Sequence, residues 1–225
     1  MDITIWNFFS YWVNYTILKG IPEDAIILIL MLPIVATIIV VIRQIIGLKA
    51  LGIYLPSILT ITFLATGLVN GILIFAVILT AGTVFRLILR KLKLLYLPRM
   101  ALLITFVSIV AFVILAFASR LDISRIIEVN ALPILIMILL VENFINVQIE
   151  KGAKESFKLI ITTLIIVVFC YFILNSQYVR DFVLHYPGPI VLVIILANFL
   201  IGRWTGLRLA EYYRFKDILN ENQNK

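Results

Sequence analysis

An acidic residue with two amides beside it interrupts one of the apolar runs of this sequence. Glu142 and Asn143 are adjacent, and Asn146 follows one helical turn later, inside the run 129–147. A carboxylate at such a depth in hydrocarbon costs roughly 3 kcal/mol unless it is neutral, hydrated or paired. The predicted cationic partners are Arg86, Arg203 and Arg208. This polar cluster is interpreted as an ion pair that locks helices together, as a substrate or proton site, or as residues in water at the end of a span.

A row of basic residues follows the third apolar run. Arg86, Arg90 and Lys93 share one helix face at spacings of three and four, and Arg99 continues the row beyond Pro98. Such a row can hold a phosphate, a lipid headgroup or an acidic peptide. It is also the usual cationic anchor at the cytoplasmic end of a span, and the sequence favours that interpretation.

The last apolar run passes into a stretch dense in charge and aromatic rings, residues 202–215. Aromatic and cationic side chains of this kind lie at the membrane surface, and Gly202 with Gly206 would allow a neighbouring helix to approach closely. This stretch is predicted to be either a surface ion-pair ladder or a docking motif for a cytoplasmic partner. The motif comprises Gly202, Arg203, Trp204, Thr205, Gly206, Arg208, Glu211, Arg214 and Phe215.

Recognisable catalytic motifs are missing from the sequence. Cys170 is the only cysteine and His185 the only histidine, so a zinc site of the usual kind and an internal disulfide are excluded. The sequence contains no HExxH, P-loop, GxSxG or GxGxxG motif. The chain is therefore predicted to have no catalytic residue, no metal and no cofactor. An enzyme that uses Glu142 or Asp122 as an acid is the third and least favoured function class.

The composition indicates what must position these residues. Of 225 residues, 63% are hydrophobic and only 14% are charged, and the mean hydropathy is +1.14. Soluble domains are about half apolar, so the surplus must face lipid. The net charge of +7 does not predict nucleic-acid binding, because the basic residues fall in the links between apolar runs.

Seven apolar runs are each close to the roughly 20 residues that cross a bilayer as a helix. They are 25–42, 51–69, 72–89, 100–118, 129–147, 158–174 and 186–201. The second run contains glycine, proline and threonine, and it is predicted to form a tight hairpin with the third and to kink at Pro56. The predicted organisation is an interfacial segment 1–24, an all-α seven-helix transmembrane domain 25–215 and a polar cytoplasmic tail 216–225.

The basic residues predict the orientation. If the first run enters from outside, fifteen of the nineteen lysines and arginines fall on the inner side. Cytoplasmic links are enriched in lysine and arginine, so the N-terminus is predicted outside and the C-terminus in the cytoplasm. The alternation depends on the second run being a true crossing.

The sequence also resembles a known family across roughly 48–215. It is similar to the bacterial seven-helix membrane domain usually fused behind an inactive transglutaminase-like domain. The residues that carry the resemblance are Gly52 to Pro56, Thr66 and Gly67, Leu97 to Arg99, Val141 to Asn143, Glu150 to Gly152, Glu155, and above all Gly202 to Leu209 with Glu211, Arg214 and Phe215.

The resemblance implies a non-catalytic component of a peptide-ligase or peptide-tagging system in the bacterial inner membrane. Its implied partners are the lipid bilayer, an ATP-grasp ligase in the cytoplasm and a transglutaminase-like protein outside. The latter domain lies outside these 225 residues, so it is expected to be encoded separately or dispensable. The sequence leaves the oligomeric state open. The alternative function is a transporter or channel-like subunit for a small peptide or anionic metabolite.

Overall fold

The structure is a computed structural model that describes residues 5–92, 94–120 and 131–203. These residues form helices and connecting turns, with no strand among them. The helices are α1 (Ile5–Leu18), α2 (Glu23–Val41), α3 (Tyr54–Thr66), α4 (Leu68–Leu89), α5 (Tyr96–Arg120), α6 (Ala131–Lys151), α7 (Ala153–Leu174), α8 (Gln177–His185) and α9 (Pro187–Gly202). A π-helical turn, Ile42–Ile46, extends α2. The predicted all-α fold is confirmed.

Five of these helices are long and apolar enough to cross a membrane. They are α2 with its π-helical turn, α4, α5, α6 and α7. The 13 residues of α3 and the 16 residues of α9 are shorter, and α9 is bent by 101° from α8. Each of the seven predicted runs therefore corresponds to a helix, but two of these helices are shorter than a full span.

The helix of the second apolar run, α3, begins later than predicted, and its proline therefore lies near its start. Gly52 has a φ of +61° and ends an irregular link, so α3 starts at Tyr54 rather than Leu51. Pro56 then lies in the first helical turn, where its missing N–H removes no helical hydrogen bond. The predicted kink at Pro56 is wrong for this reason.

The chain divides into two compact units, and the first consists of residues 1–57 and 162–225. Here α1 and α2 each pack against α8 and α9. Ile27, Met31, Val35 and Ile39 repeat every four residues along α2 and form its buried face. The link between the sixth and seventh apolar runs contains α8. This helix buries Val183 and exposes Tyr178, so it is amphipathic.

The second unit, residues 58–161, is built on α4, α5 and α6, which pack against one another. Phe75 and Phe144 meet edge to face, with ring centroids 5.2 Å apart, and Phe85 stacks on Phe106 at 4.0 Å. Gly82 lets α4 approach α6 closely, because a Cβ there would lie 2.8 Å from the Ile145 side chain. These contacts position the polar residues at the end of α4.

Candidate functional site

The polar cluster of the second unit is centred on Arg86 and Gln148. The Arg86 guanidinium donates from one nitrogen to the Gln148 side-chain oxygen at 2.9 Å and from another to the Gln148 backbone oxygen at 3.1 Å. The Gln148 amide nitrogen donates to the Thr83 hydroxyl at 3.2 Å. Thr83 in turn donates to the Leu79 carbonyl. Three residues from two helices thus satisfy one another's hydrogen bonds.

Local structure explains why these residues meet. Arg86 and Thr83 lie in the last two turns of α4, and Gln148 lies in the last turn of α6. Backbone carbonyls in the last turn of a helix lack an intrahelical donor, and a cation there also suits the helix dipole. Arg86 therefore caps the end of α6 while its side chain is fixed by Gln148.

The predicted pairing of Glu142 with Arg86 is not present. Glu142 is half-buried on α6, and no hydrogen bond or ion pair joins it to another described residue. Gln148 is six residues further along, about 120° around the helix from Glu142. The face that meets Arg86 therefore carries Gln148, while Asn143 is exposed and Asn146 is half-buried.

Gln148 is the residue that the sequence analysis missed. It continues the i, i+4, i+7 spacing of Val141 and Ile145, which are fully buried on the same face. Its side chain is only 8% exposed. The sequence did indicate Gln148, because it is a polar residue at the spacing of an apolar helix face near the end of a span.

A small cleft lies beside this cluster, within the second unit. Its lining includes Arg86, Leu89, Arg99, Met100, Leu103 and Ile145. We call it the arginine cleft, and it has room for about one water molecule. The Arg99 guanidinium lies 5.9 Å from the centre of the Tyr96 ring, and its Nε is buried with no hydrogen-bond partner. Arg90 and Arg99 both act electrostatically on Arg86.

Only the start of the predicted docking motif falls within the described residues. Gly202 ends α9 with open space where a Cβ would lie, and the Arg203 guanidinium lies 5.5 Å from the centre of the Phe199 ring. The remainder of the motif lies outside the described residues, namely Trp204, Thr205, Gly206, Arg208, Glu211, Arg214 and Phe215.

Further polar contacts, which the sequence did not predict, join the helices of the first unit. Asn198 of α9 donates to the Thr37 hydroxyl of α2 at 2.7 Å, and Gln44 donates to the Ile201 carbonyl at 3.2 Å. The buried Thr163 hydroxyl of α7 accepts the Leu51 N–H at 3.2 Å. Side-chain to backbone bonds of this type depend on helix register, which hydropathy alone does not specify.

Metal-binding side chains do not cluster in residues 5–92, 94–120 and 131–203. No group of three or more histidine, cysteine, aspartate or glutamate residues there is placed to hold a metal ion. Cys170 is a buried free thiol.

The comparison with protein families gives one match. Residues 15–219 match a family described as seven transmembrane helices usually fused to an inactive transglutaminase. The chain belongs to this family. The match covers α2 to α9, and it confirms the resemblance predicted from the sequence. The protein is therefore a multi-pass membrane component with apolar helices.

The other comparisons add no relatives. No curated protein and no solved structure matches the chain.

Proposed function

We propose that the protein is a non-catalytic scaffold in the bacterial inner membrane that anchors a peptide-ligase or peptide-tagging system. The observation that carries this proposal is the match of residues 15–219 to seven-helix domains usually fused to an inactive transglutaminase. A membrane domain that is commonly joined to an inactive enzyme domain is better suited to holding partners than to chemistry.

The geometry of the polar residues supports a scaffold. The Gln148 side chain hydrogen-bonds to Arg86 and Thr83. The Asn198 amide donates to the Thr37 hydroxyl and to the Ile194 carbonyl of its own helix. Polar side chains that bond across helices stabilise a membrane bundle, because hydrocarbon offers them no other partner. These groups are thus engaged in holding the bundle together and are not directed at a ligand.

The proposed partners are the lipid bilayer, an ATP-grasp ligase in the cytoplasm and a transglutaminase-like protein outside. In the proposed orientation the docking motif, residues 202–215, faces the cytoplasm. Arg208 and Arg214 of the motif could pair with an acidic surface of the ligase. Phe199 and Arg203 lead into this motif at the end of α9.

Co-purification tests the scaffold. Arg208→Glu with Glu211→Arg would reverse two charges of the motif while preserving its net charge. We expect this double variant to lose the ligase on affinity purification from membranes, while keeping the thermal stability of the wild type. Lys154→Glu, a charge reversal outside the motif, is the control and should retain the ligase. Retention of the ligase by the double variant would refute the docking role.

A carrier of a small peptide or anionic metabolite is the second candidate. It is favoured by Glu142, an acid within a span that forms no hydrogen bond or ion pair with the described residues. Acids in such positions often serve ion or substrate pathways. Glu142→Gln should abolish uptake into proteoliposomes if the protein is a carrier, and should leave ligase co-purification unchanged if it is a scaffold.

A further inference from the structure

We propose that the arginine cleft binds a phosphate group, supplied either by the headgroup of an anionic phospholipid or by free phosphate. The cleft lies where α4 ends and α5 begins, at the ends of two spans. Phospholipid phosphates lie at this level, just outside the hydrocarbon. The proposal is independent of the scaffold function, because it concerns a different part of the chain from the docking motif.

Uncompensated positive charge is the first observation. Arg99 lines the same cleft as Arg86, and Arg90 lies one helical turn beyond Arg86 at the end of α4. In the described residues none of these three guanidinium groups forms an ion pair with an acid. Like charges repel more strongly beside an apolar medium than in water, so an anion among them would relieve the repulsion.

Unused hydrogen-bond donors are the second observation. Arg99 Nε is buried and lacks an acceptor, which is unusual for a buried donor. Arg86 uses two of its five N–H groups on Gln148, which leaves donors for a ligand. Because two hydrogen bonds to Gln148 hold the Arg86 guanidinium, its remaining donors are in place before a ligand arrives.

The shape of the cleft fits one corner of a phosphate. Its space suits a single oxygen-sized atom, and its walls include the buried apolar residues Leu89, Met100 and Leu103. One phosphate oxygen would occupy this space, beside the Arg86 and Arg99 side chains that line it. Planar guanidinium groups bind phosphate oxygens through paired hydrogen bonds.

A simple membrane anchor would look different. An arginine that only fixes the orientation of a span extends into water and keeps all its donors hydrated. Arg99 instead has a buried Nε, and Arg86 is bound to Gln148. The buried Nε of Arg99 and the hydrogen bonds of Arg86 distinguish a binding site from the anchor that the sequence favoured.

Thermal stabilisation of the full chain in lipid-free detergent tests the site. The probes are dioctanoyl phosphatidylglycerol, dioctanoyl phosphatidylcholine and inorganic phosphate. Arg99→Gln is the test variant, because Arg99 forms no side-chain hydrogen bond with the described residues and its loss should not prevent folding. Arg43→Gln is the matched control, a half-buried arginine in the other unit.

We expect phosphatidylglycerol to raise the melting temperature of the wild type and of Arg43→Gln at the same concentration. Arg99→Gln should need about tenfold more lipid, as expected for the loss of a charge-assisted hydrogen bond. A larger effect of phosphatidylglycerol than of inorganic phosphate assigns the ligand to the lipid, and an equal Arg99-dependent effect assigns it to free phosphate. The proposal is overturned if neither phosphatidylglycerol nor inorganic phosphate stabilises the wild type, if phosphatidylcholine stabilises it as much as phosphatidylglycerol does, or if Arg99→Gln behaves like Arg43→Gln.

Discussion

Replacing Gln148 with methionine should destabilise the second unit. Methionine has a similar length and packs well against apolar neighbours, so Gln148→Met removes the polar atoms with little change in shape. The Arg86 bond to the backbone oxygen of residue 148 is retained. The substitution therefore removes the two side-chain bonds, to Arg86 and to Thr83.

The structure allows the size of this effect to be worked out. A hydrogen bond to a charged group contributes about 1.5–3 kcal/mol, and we take the lower end because Arg86 is only half-buried. A neutral bond between membrane helices contributes about 0.6 kcal/mol. Gln148→Met should therefore lower the free energy of unfolding by about 2 kcal/mol.

Equilibrium unfolding of the purified protein by sodium dodecyl sulfate in mixed micelles would measure this change. Asn143→Met is the matched control, since it removes an amide from the same helix at an exposed position. It should change the free energy of unfolding by less than about 0.5 kcal/mol. A double-mutant cycle with Arg86→Met should give a coupling of about 1.5 kcal/mol, because only the side-chain bond is shared.

Three outcomes would refute this reasoning. The first is a loss in Gln148→Met no larger than that in Asn143→Met. The second is a gain in stability, which would mean that burial of the amide destabilises the protein by more than its two hydrogen bonds stabilise it. The third is zero coupling to Arg86, which would mean that the two side chains act independently of each other.

Three other predictions concern helix packing, a backbone hydrogen bond and the number of membrane crossings. Gly82→Ala should lower the free energy of unfolding by about 1–3 kcal/mol, because a Cβ would lie 2.8 and 2.9 Å from two side chains of α6, whereas Gly202→Ala meets open space and should be neutral in the same denaturation assay. Thr163→Val should speed amide hydrogen exchange in the link 47–53, since its hydroxyl accepts a backbone N–H there, and unchanged exchange would contradict this. Reporters fused after Lys49 and after Lys225 should lie on the same side of the membrane, and opposite sides would exclude seven crossings.

The helices were predictable because lipid leaves the chain few choices. A backbone in hydrocarbon must satisfy its own hydrogen bonds, so long apolar runs become helices. The runs that became α4 and α6 carry few charged residues, and both were predicted within a few residues of their ends. The family could also be predicted, since the resemblance depends on glycine, proline and charged residues that lipid does not dictate, and the match over residues 15–219 confirms it.

Helix ends and short surface helices were less predictable. α8 carries both charged and aromatic residues in nine positions, too few for an apolar run to stand out. α7 starts at Ala153 because Gly152 has a φ of +79° and separates it from α6. The first turn of α7 carries charge, so hydropathy placed the start of that span five residues too late.

The polar cluster shows what hydropathy cannot supply. Glu142 drew attention because a charge in an apolar run is conspicuous, whereas Gln148 lies near the end of its span, where polar residues are common. Which of them meets Arg86 depends on the rotation of α6, which is set by contacts such as Gly82 with Ile145. Helix packing determines which residue a polar group contacts, and the sequence gives only the candidate partners.

Packing also bears on whether the short helix α3 crosses the membrane. Thr37 and Gln44 bond, in that order along α2 and its π-helical turn, to Asn198 and Ile201 of α9, so the first and last spans run parallel. Parallel spans require an odd number of crossings between them, and among the described residues the long helices between them number four. We therefore predict that α3 is the fifth crossing, although its 13 residues cover only about 20 Å of the roughly 30 Å of hydrocarbon. In such a crossing the irregular link before α3 would cover part of the remainder, and Leu51 in that link is buried with its N–H bound to Thr163, which satisfies this backbone group.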